Sequence, residues 1–347
     1  MTALSRALKV TSACCTSGAL LALMTTTTIA NDFYKGKTIT MSTHTAPGGG
    51  YDTLLRLLAR HYGRYIPGEP SFIVVNQPGA GGLLSLNYAA KRAPQDGTWL
   101  ALVSQGLILH EALGRPGVDV SLTKFKWIGN LNSSNNVTAT WHLSKVKTID
   151  DAKAREVTVG STGAGAITSI VPAVMNTILG TKFKIIYGYP GGAAQDIAME
   201  RGELDGRSVN QWDGYKSLKP DAIKNNQLHV LVQIAMKKDP DLPNVPLLID
   251  LVKGDPSKES IARFMSQGVS ASRPLAAPPE VPSERVALLR RAFDATMKDK
   301  QFLSDADKLG TEISPLTGEE VQQIIDDVVN APESVRKAFL EAAKQKP

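Results

Sequence analysis

The sequence predicts an α/β fold in which mostly parallel sheets carry helices on their faces. Two observations support this prediction. Short apolar runs of strand length alternate with longer runs of helical periodicity over most of the 347 residues, and glycine-rich turns separate them. This alternation is typical of parallel sheets, because two parallel strands can be joined only by a long crossover, usually a helix. Ligands bind such sheets beyond the carboxyl ends of the strands, where the glycine-rich turns of this chain lie.

Two glycine-rich turns belong to the first two strand–turn–helix units. The first has PGGG at 47–50 before a helix expected over 54–64, and the second has PGAGG at 78–82 before a helix over 83–91. Glycine lets backbone N–H groups approach a ligand, and the start of a helix leaves N–H donors unpaired at its positive end. The pair therefore predicts a site that holds one carboxylate from two sides, although either turn alone could be an ordinary tight turn.

The first helix has an apolar stripe at helical spacing, formed by Tyr51, Leu54, Leu55, Leu58 and Tyr62. Asp52 lies at the start of this helix, and two roles are open for its carboxylate. It could act as an N-cap or first-turn acid that favours the helix. Alternatively, it could accept hydrogen bonds that shape the glycine-rich loop around a ligand.

The remaining elements follow the same alternation. We expect strands at 99–103, 127–129, 137–141, 157–160, 183–187, 204–209, 228–235 and 265–271, and helices at 107–113, 166–179, 193–201 and, with breaks near Gly310 and Pro332, from Pro282 onward. The expected connections between two halves of the protein are the polar stretch 130–136 and the stretch 250–264, in which GDP at 254–256 breaks the chain.

A third glycine-rich turn, GSTGAG at 160–165, follows a strand and opens a helix. It resembles a dinucleotide-binding motif only in a permuted spacing, and the next strand ends without the acidic residue that binds a ribose. We therefore predict a third anion site, to which Ser161, Thr162 and Thr168 add hydroxyl groups. A plain turn is the alternative.

Two further segments could bind a ligand: a fourth glycine-rich turn and the residues at the end of a later strand. YPGG at 189–192 precedes another helix, and Asn210 and Trp212 follow a strand, where they could supply an amide donor and an aromatic wall. Core packing is an equally good role for Trp212. Arg207, on the same strand, is expected to pair on the surface rather than to point into a cleft.

The first thirty residues have the pattern of a signal peptide. Arg6 and Lys9 precede an apolar run that is too short to span a membrane, and the small residue Ala30 predicts cleavage after it. The mature chain would be periplasmic and roughly 317 residues long, which is enough for two domains. Both cysteines, Cys14 and Cys15, would be removed, which excludes disulfides, thiol catalysis and thiolate metal sites.

Charge and motif content exclude further classes of function. Without Arg6 and Lys9 the net charge falls from +6 to about +4, and no basic run with interleaved aromatics predicts nucleic-acid binding. The five histidines are not spaced as metal ligands, and GVSAS at 268–272 lacks the closing glycine of a nucleophile elbow. We therefore expect no catalysis, no cofactor and no metal.

The order of these motifs resembles one family. This is the Bug family, the TctC-like extracytoplasmic solute receptors of tripartite tricarboxylate transporters. The resemblance covers nearly all of the mature chain and is carried by Arg56 and the runs APGGGYD at 46–52, NQPGAGG at 76–82, NY at 87–88, PQDGT at 94–98, GSTGAG at 160–165, YPGG at 189–192, GELD at 202–205 and LPNVP at 242–246. Each short motif alone is unspecific, whereas the match in order is specific.

The resemblance implies a two-lobed periplasmic binding protein of type II-like fold, with the ligand in the cleft between the lobes. A signal peptide at 1–30 would precede lobe 1, formed by 31–133 plus 263–347, and lobe 2, formed by 134–262. The implied function is capture of a small organic carboxylate by a monomeric receptor and its delivery to integral-membrane transporter subunits. Presentation of the ligand to a sensor kinase is the first alternative, and an exported hydrolase is the weaker one.

The resemblance also implies that the two N-terminal glycine loops hold the ligand carboxylate and that loops of the second lobe contact the rest of the ligand. The predicted ligand-binding residues are Pro47, Gly48, Gly49, Gly79, Ala80, Gly81, Ser104, Ser161, Thr162, Gly165, Thr168, Tyr189, Asn210 and Trp212. Family members often have histidine where this chain has Ser169 and lysine where it has Pro190. These departures leave the carboxylate site unchanged and bear on the identity of the ligand.

Overall fold

The computed structural model describes residues 33–344 except 162, 164, 165 and 190. The strands in this part of the chain form two separate sheets. The strands of the first sheet are β1 (Thr38–Thr43), β2 (Ser71–Asn76), β3 (Trp99–Leu102), β4 (Lys126–Asn130), β10 (Pro274–Ala277) and β11 (Leu316–Thr317). The strands of the second sheet are β5 (Asn136–Trp141), β6 (Val157–Gly160), β7 (Phe183–Ile186), β8 (Gly206–Gln211) and β9 (Leu228–Ile234). The predicted signal peptide lies outside the described residues.

Both sheets combine parallel and antiparallel pairs. The first has the order β11-β4-β10-β3-β1-β2, with β1 parallel to β2 and β3, and β10 antiparallel to both its neighbours. The second has the order β7-β6-β8-β5-β9, with β6 parallel to β7 and β8, and β5 antiparallel to β8 and β9. The predicted α/β class, with helices flanking two sheets, is confirmed, but the expectation of mostly parallel sheets is wrong. Both sheets are mixed, because β5, β10 and β11 run antiparallel to the strands they pair with.

The antiparallel strands β5 and β10 are the first strands after the chain passes between the sheets. It leaves the first sheet at Asn130 and enters the second at Asn136; it leaves the second at Ile234 and re-enters the first at Pro274. Pro274 lies opposite Asn130, the last residue of β4. β5 and β10 begin at a passage between the sheets and run away from it. The parallel strands of each sheet end on the side where the passages lie, so β5 and β10 run opposite to them.

Thirteen helices occur in the described part of the chain. They are α1 (Gly50–Tyr62), α2 (Leu83–Lys91), α3 (Gly106–Ala112), α4 (Ile149–Ala154), α5 (Ile167–Leu179), α6 (Gly192–Glu200), α7 (Trp212–Leu218), α8 (Pro220–Lys224), α9 (Pro256–Gly268), α10 (Ser283–Thr296), α11 (Lys300–Lys308), α12 (Gly318–Val329) and α13 (Glu333–Ala342). Short 3₁₀ turns lie at Gly63–Tyr65, Ala80–Gly82, Leu122–Lys124 and Asp250–Val252. None of these helices is long and apolar enough to cross a membrane.

One predicted element is wrong. The run 265–271 was expected as a strand, but its first residues belong to α9 and the strand of this region is β10. The Asp255 side chain caps α9 by accepting a hydrogen bond from the Lys258 N–H group, and Pro256 occupies the first turn. Ile261 and Met265 are buried at helical spacing. The signals for this helix precede the apolar run, and the run alone does not distinguish a buried helix from a strand.

The core joins both sheets. α1 and α10 cover one face of the first sheet, where Ile39, Leu58 and Phe293 are fully buried. A larger cluster continues from the other face of that sheet to the second sheet through α9, whose Phe264 packs against Phe339 at a ring distance of 5.1 Å. The carboxyl ends of β1, β2, β3 and β6 therefore lie at the boundary between the two sheets.

Candidate functional site

A cavity of about 660 Å³ lies at the carboxyl ends of the parallel strands. Segments that follow β1, β2 and β3 supply one wall, formed by His44, Thr45, Tyr51, Ala80, Gly81, Ser104, Gln105, Gly106, Leu107 and His110. The segment that follows β6 supplies the other wall, formed by Gly163, Ala166 and Ile167. The described lining thus comes from both sheets, at the edge where the sequence predicts a ligand.

Asp52 shapes the first glycine-rich turn. Its carboxylate accepts hydrogen bonds from the Gly48 N–H group at 2.8 Å, from Arg56 Nε at 3.0 Å and from Asn76 Nδ2 at 2.8 Å. Burial opposes ionisation, but the hydrogen bonds from Arg56, Gly48 and Asn76 outweigh it and hold the pKa of Asp52 below its usual value. Asp52 is therefore a first-turn acid of α1 without being its N-cap, and its bonds to Gly48 and Asn76 also fix the glycine-rich loop.

These contacts use backbone donors that were predicted to hold a ligand. The Gly48 N–H group is bonded to Asp52, and the Gly49 N–H group donates to the Ala46 carbonyl at 3.4 Å. Pro47, Gly48 and Gly49 are not among the described residues that line the cavity, whereas Thr45 and Tyr51 on either side of them are. The first turn is therefore a rim that the protein braces by its own hydrogen bonds.

The second glycine-rich turn has a left-handed backbone. Ala80, Gly81 and Gly82 have φ angles of 47°, 65° and 105°, and Gly79 has 147°. A side chain at position 82 would meet Ser104 Cβ at 2.9 Å, whereas position 81 faces open space. Glycine is therefore required at 82 by packing and favoured at 81 by its backbone angle. Ala80 and Gly81 line the cavity directly, and Gly79 lies just outside the described lining.

An aromatic and basic cluster includes His44 and Tyr51 of the first wall and, behind them, Arg273. The His44 ring packs edge-on against Tyr51 at 4.4 Å, and the Arg273 guanidinium lies 4.2 Å from the centre of the Tyr51 ring. Burial lowers the pKa of His44 to about 4; a hydrogen bond to the Leu102 backbone opposes this shift, and the charge of Arg273 adds to it. His44 is therefore neutral near pH 7.

The sequence did not point to the residues behind this wall. The Tyr51 hydroxyl donates to the Ser272 carbonyl at 2.7 Å, across 221 positions, and accepts from the Gln105 N–H group at 3.4 Å. Tyr51 was assigned to the apolar stripe of α1, and Arg273 was not singled out. Tyr51 lies at the start of a helix and Gln105 follows a strand, so the sequence around each of them gives a local signal. Arg273 directly precedes β10 and has no such signal.

The hydroxyl groups predicted for the second wall bond to one another. The hydroxyl oxygens of Ser161 and Thr168 are 3.1 Å apart, and Ser161 Oγ also accepts from the Gly163 N–H group at 3.2 Å. Ser208 Oγ donates to the Thr168 carbonyl at 2.8 Å. These bonds brace the turn and leave Gly163, Ala166 and Ile167 as its described cavity-lining residues. Thr162 and Gly165, also predicted to contact the ligand, lie outside the described residues.

Three other residues that were predicted to bind the ligand belong to other parts of the second half of the protein. Trp212 is 5% exposed and packs with Tyr215 and neighbouring apolar side chains, so its core role is the one the structure shows. Tyr189 is half-buried and packs against a second small cluster, and Asn210 is half-buried on β8. None of the three is among the described lining residues.

The expectation for Arg207 is wrong. This arginine is 8% exposed rather than on the surface, and its Nη1 forms an ion pair with the Asp196 carboxylate at 3.0 Å. The reason is that α6 packs over β8 and brings Asp196 to the same side of the sheet. Within the described residues, no group of three or more histidine, cysteine or acidic side chains could hold a metal ion.

Comparison with known proteins assigns the chain to one protein family. A family model described as the tripartite tricarboxylate transporter family receptor, TctC, matches residues 55–339. A relative from Agrobacterium vitis, described as the UPF0065 protein in the TAR-I ttuE-ttuC' intergenic region, is 26% identical over 289 residues. The match covers 81% of this chain and 78% of that relative.

Solved structures share the fold. The periplasmic binding protein BugD is 21% identical with a TM-score of 0.67, covering 89% of this chain and 98% of its own. An R. palustris protein solved with adipate is 19% identical with a TM-score of 0.66, covering 88% and 97%. MatC from Rhodopseudomonas palustris, solved with bound malate, is 18% identical with a TM-score of 0.64, covering 89% and 99%. The chain therefore has the two-lobed fold of periplasmic binding proteins.

Proposed function

Because this chain belongs to the tripartite tricarboxylate transporter receptor family, we propose that it is an exported receptor for a small organic carboxylate. It captures the carboxylate by closing its lobes on the cavity and delivers it to the integral-membrane subunits of a tripartite tricarboxylate-type transporter. The observation that carries this proposal is the left-handed turn that presents Ala80 and Gly81 to a cavity of about 660 Å³ between the two sheets.

Backbone donors beside a helix start suit a carboxylate. α2 begins directly after the turn, at Leu83, so its positive end faces the same side as Gly81. Two relatives in structural comparison were solved with malate and with adipate, and both of these ligands are dicarboxylates. A cavity of this volume lies within the usual range for small-molecule sites.

The lobes are proposed with the bounds that the sequence suggests, 31–133 plus 263–347 and 134–262. The passages between β4 and β5 and between β9 and β10 support this division, because each sheet then belongs to one lobe. We further propose that the chain is exported to the periplasm, that the signal peptide is cleaved after Ala30, that the mature protein is monomeric, and that it performs no catalysis. Intact mass of the exported protein tests the cleavage, and the expected N-terminus is Asn31.

A thermal-shift panel of aliphatic, hydroxylated and aromatic mono- and dicarboxylates tests the function. A ligand at about 100 times its Kd should stabilise the fold by about 2.7 kcal/mol, which shifts the Tm of a chain this size by several degrees. Stabilisation by at least one carboxylate, with neutral amides of the same shape ineffective, supports the proposal. No response to any carboxylate contradicts it.

Two further assays separate the alternatives. Uptake of the binding carboxylate by cells lacking the membrane subunits should be lost if the receptor serves a transporter, and retained if it presents the ligand to a sensor kinase. If the purified protein hydrolyses generic ester substrates, the hydrolase alternative is favoured. If it hydrolyses none of them, the result supports a receptor.

A further inference from the structure

Arg273 is a buried cation without an acidic partner. It is 8% exposed, its Nη1 donates to the Ser272 carbonyl at 3.1 Å, and its Nε has no hydrogen-bond partner. No carboxylate in the described part of the chain forms an ion pair with it. Arg207 is a matched contrast: it is equally buried and its Nε also lacks a hydrogen-bond partner, but its Nη1 has the Asp196 carboxylate at 3.0 Å.

The guanidinium of Arg273 lies next to the cavity wall. It is 4.2 Å from the centre of the Tyr51 ring, and Tyr51 lines the cavity. Its Nη2 lies 3.6 Å from the position that a Cβ at Gly50 would occupy, at the first residue of the 13-residue helix α1. Two sources of positive potential, the guanidinium and the start of α1, therefore coincide beside the rim of the cavity.

An unpaired buried charge is costly for a folded protein, because it loses its hydration and gains no opposite charge. A guanidinium that served only to hold the fold would be expected to have a partner such as the one Arg207 has. A bound anion would supply the missing charge and would accept hydrogen bonds in the geometry that guanidinium groups favour. The cost in the ligand-free protein is then offset in the complex.

We infer that Arg273 is the cation of the binding site, with its Nη2 bonded to a ligand carboxylate beside Gly50. This inference rests on the proposed function and makes it more specific: the site selects full negative charge over neutral molecules of the same shape. His44 adds no competing charge, because it is neutral near pH 7.

The experiment compares Arg273→Met and Arg273→Lys with wild-type protein. The probes are malate, adipate, acetate and benzoate, each beside its amide, and the readouts are Kd by calorimetry and Tm. Arg285→Met is the control, because the Arg285 guanidinium also stacks on a ring, that of Phe33 at 3.6 Å, and Phe33, unlike Tyr51, is not among the described residues that line the cavity.

Arg273→Met should weaken the best-binding carboxylate at least tenfold and reduce its preference over the amide, since a charge-assisted hydrogen bond is lost. Arg273→Lys should retain part of the affinity, and Arg285→Met all of it. The ligand-free Tm of Arg273→Met should be no lower than that of wild type, because an uncompensated charge is removed. A residue that only positions Tyr51 would lower it.

Two outcomes distinguish failure of the inference from failure of the function. If wild type binds a carboxylate and Arg273→Met binds it equally, the inference is overturned and the proposed function stands. If no probe carboxylate binds wild type, the proposed function fails and the inference with it. Should Arg273→Met fail to fold, the side-chain N–H signals of Arg273 in wild type, assigned with Arg273→Lys, must shift with the binding carboxylate and not with chloride.

Discussion

The wall that the first sheet gives to the cavity differs from the wall given by the second sheet. The first offers backbone of a left-handed turn at Ala80 and Gly81, the aromatic ring of Tyr51 and, behind it, the buried guanidinium of Arg273. The residues described on the second wall, Gly163, Ala166 and Ile167, have no polar side chain. We infer that the first wall recognises a carboxylate and that the second wall limits the shape of what carries it.

The difference has a physical origin in how each turn satisfies its own polar groups. On the second wall, the hydroxyls of Ser161, Thr168 and Ser208 bond within the protein and fix the turn. On the first wall, Asp52 accepts the bonds that fix the rim, and this leaves the second turn to face the cavity. A turn whose hydroxyls bond within the protein restricts a ligand mainly by its volume, whereas a turn whose backbone lines the cavity presents peptide groups to a charged ligand.

The largest expected effect tests whether the aromatic ring of Trp212 contacts the ligand. Trp212→Ala should lower the free energy of unfolding by about 3–5 kcal/mol, because Trp212 is buried in a core cluster. The ranking of carboxylates should not change. Urea unfolding and the carboxylate panel measure the two quantities, and Trp212→Phe, which keeps most of the volume, serves as the folded control. If Trp212→Phe changed the order of carboxylate affinities while its stability stayed nearly unchanged, Trp212 would be a ligand-binding residue.

Gly81→Val tests the first wall. The added side chain points into open space on the cavity side, and a β-branched residue at a φ of 65° is strained. Each charge-assisted hydrogen bond lost costs about 1.5–3 kcal/mol, so every carboxylate should bind at least tenfold more weakly. Calorimetry against the full panel measures the loss.

Gly180→Val is the control for this prediction. Gly180 has a similar φ of 72°, also faces open space, and lies at the far end of α5, whose thirteen residues span about 20 Å. It carries the same backbone strain without the cavity. Equal loss of binding in both variants, or normal binding by Gly81→Val, would show that the turn at 79–82 does not hold the carboxylate.

The sequence was most informative where the signal is local. The glycine runs after β1 and β2 predicted the turns, and Ala80, Gly81 and Ser104 do line the cavity; their contact with a ligand remains a prediction. Arg273 could not be found in this way, because β10 brings it beside Tyr51 from the other end of the chain. A position after a strand also does not reveal which way a side chain points, which is why Trp212 remained ambiguous.

The pH dependence of stability tests the neutral state of His44 on the first wall. The pKa of this histidine is about 4 in the folded protein and near 6.5 when unfolded. Between these values the unfolded chain binds more protons, so the contribution of His44 is present above pH 6.5 and is lost as the pH falls towards 4. The expected loss is roughly 1–3 kcal/mol.

His44→Phe isolates this contribution, because phenylalanine keeps a ring against Tyr51 and does not titrate. The difference in unfolding free energy between wild type and His44→Phe should shift against wild type as the pH falls from 7 to 4. A direct titration of the His44 ring by NMR checks the same shift. A ring that titrates near 6.5, or a difference independent of pH, would show that the His44 ring is hydrated rather than packed into the first wall.

The smallest expected effect sharpens the role of the second wall. Ile167 lies on α5 opposite the start of α3, with its Cγ2 at 3.6 Å from the position of a Cβ at Gly106. Ile167→Ala removes apolar contact where the walls approach each other. Each buried methylene contributes about 0.8 kcal/mol, so the longest carboxylate that binds should lose roughly fivefold in affinity. Short carboxylates, which contact mainly the first wall, should change little.

Ile197→Ala provides the matched control, because Ile197 is 48% exposed on α6 and undergoes the same truncation away from the described lining. It should leave every Kd unchanged. The decisive quantity is the ratio of affinities for adipate and a two-carbon acid such as acetate, measured in both variants and in wild type. If Ile167→Ala weakens both acids by one common factor, the second wall acts on closure of the lobes as a whole and does not measure the length of the ligand. A ratio that falls only in Ile167→Ala assigns ligand length to the second wall and leaves charge to the first.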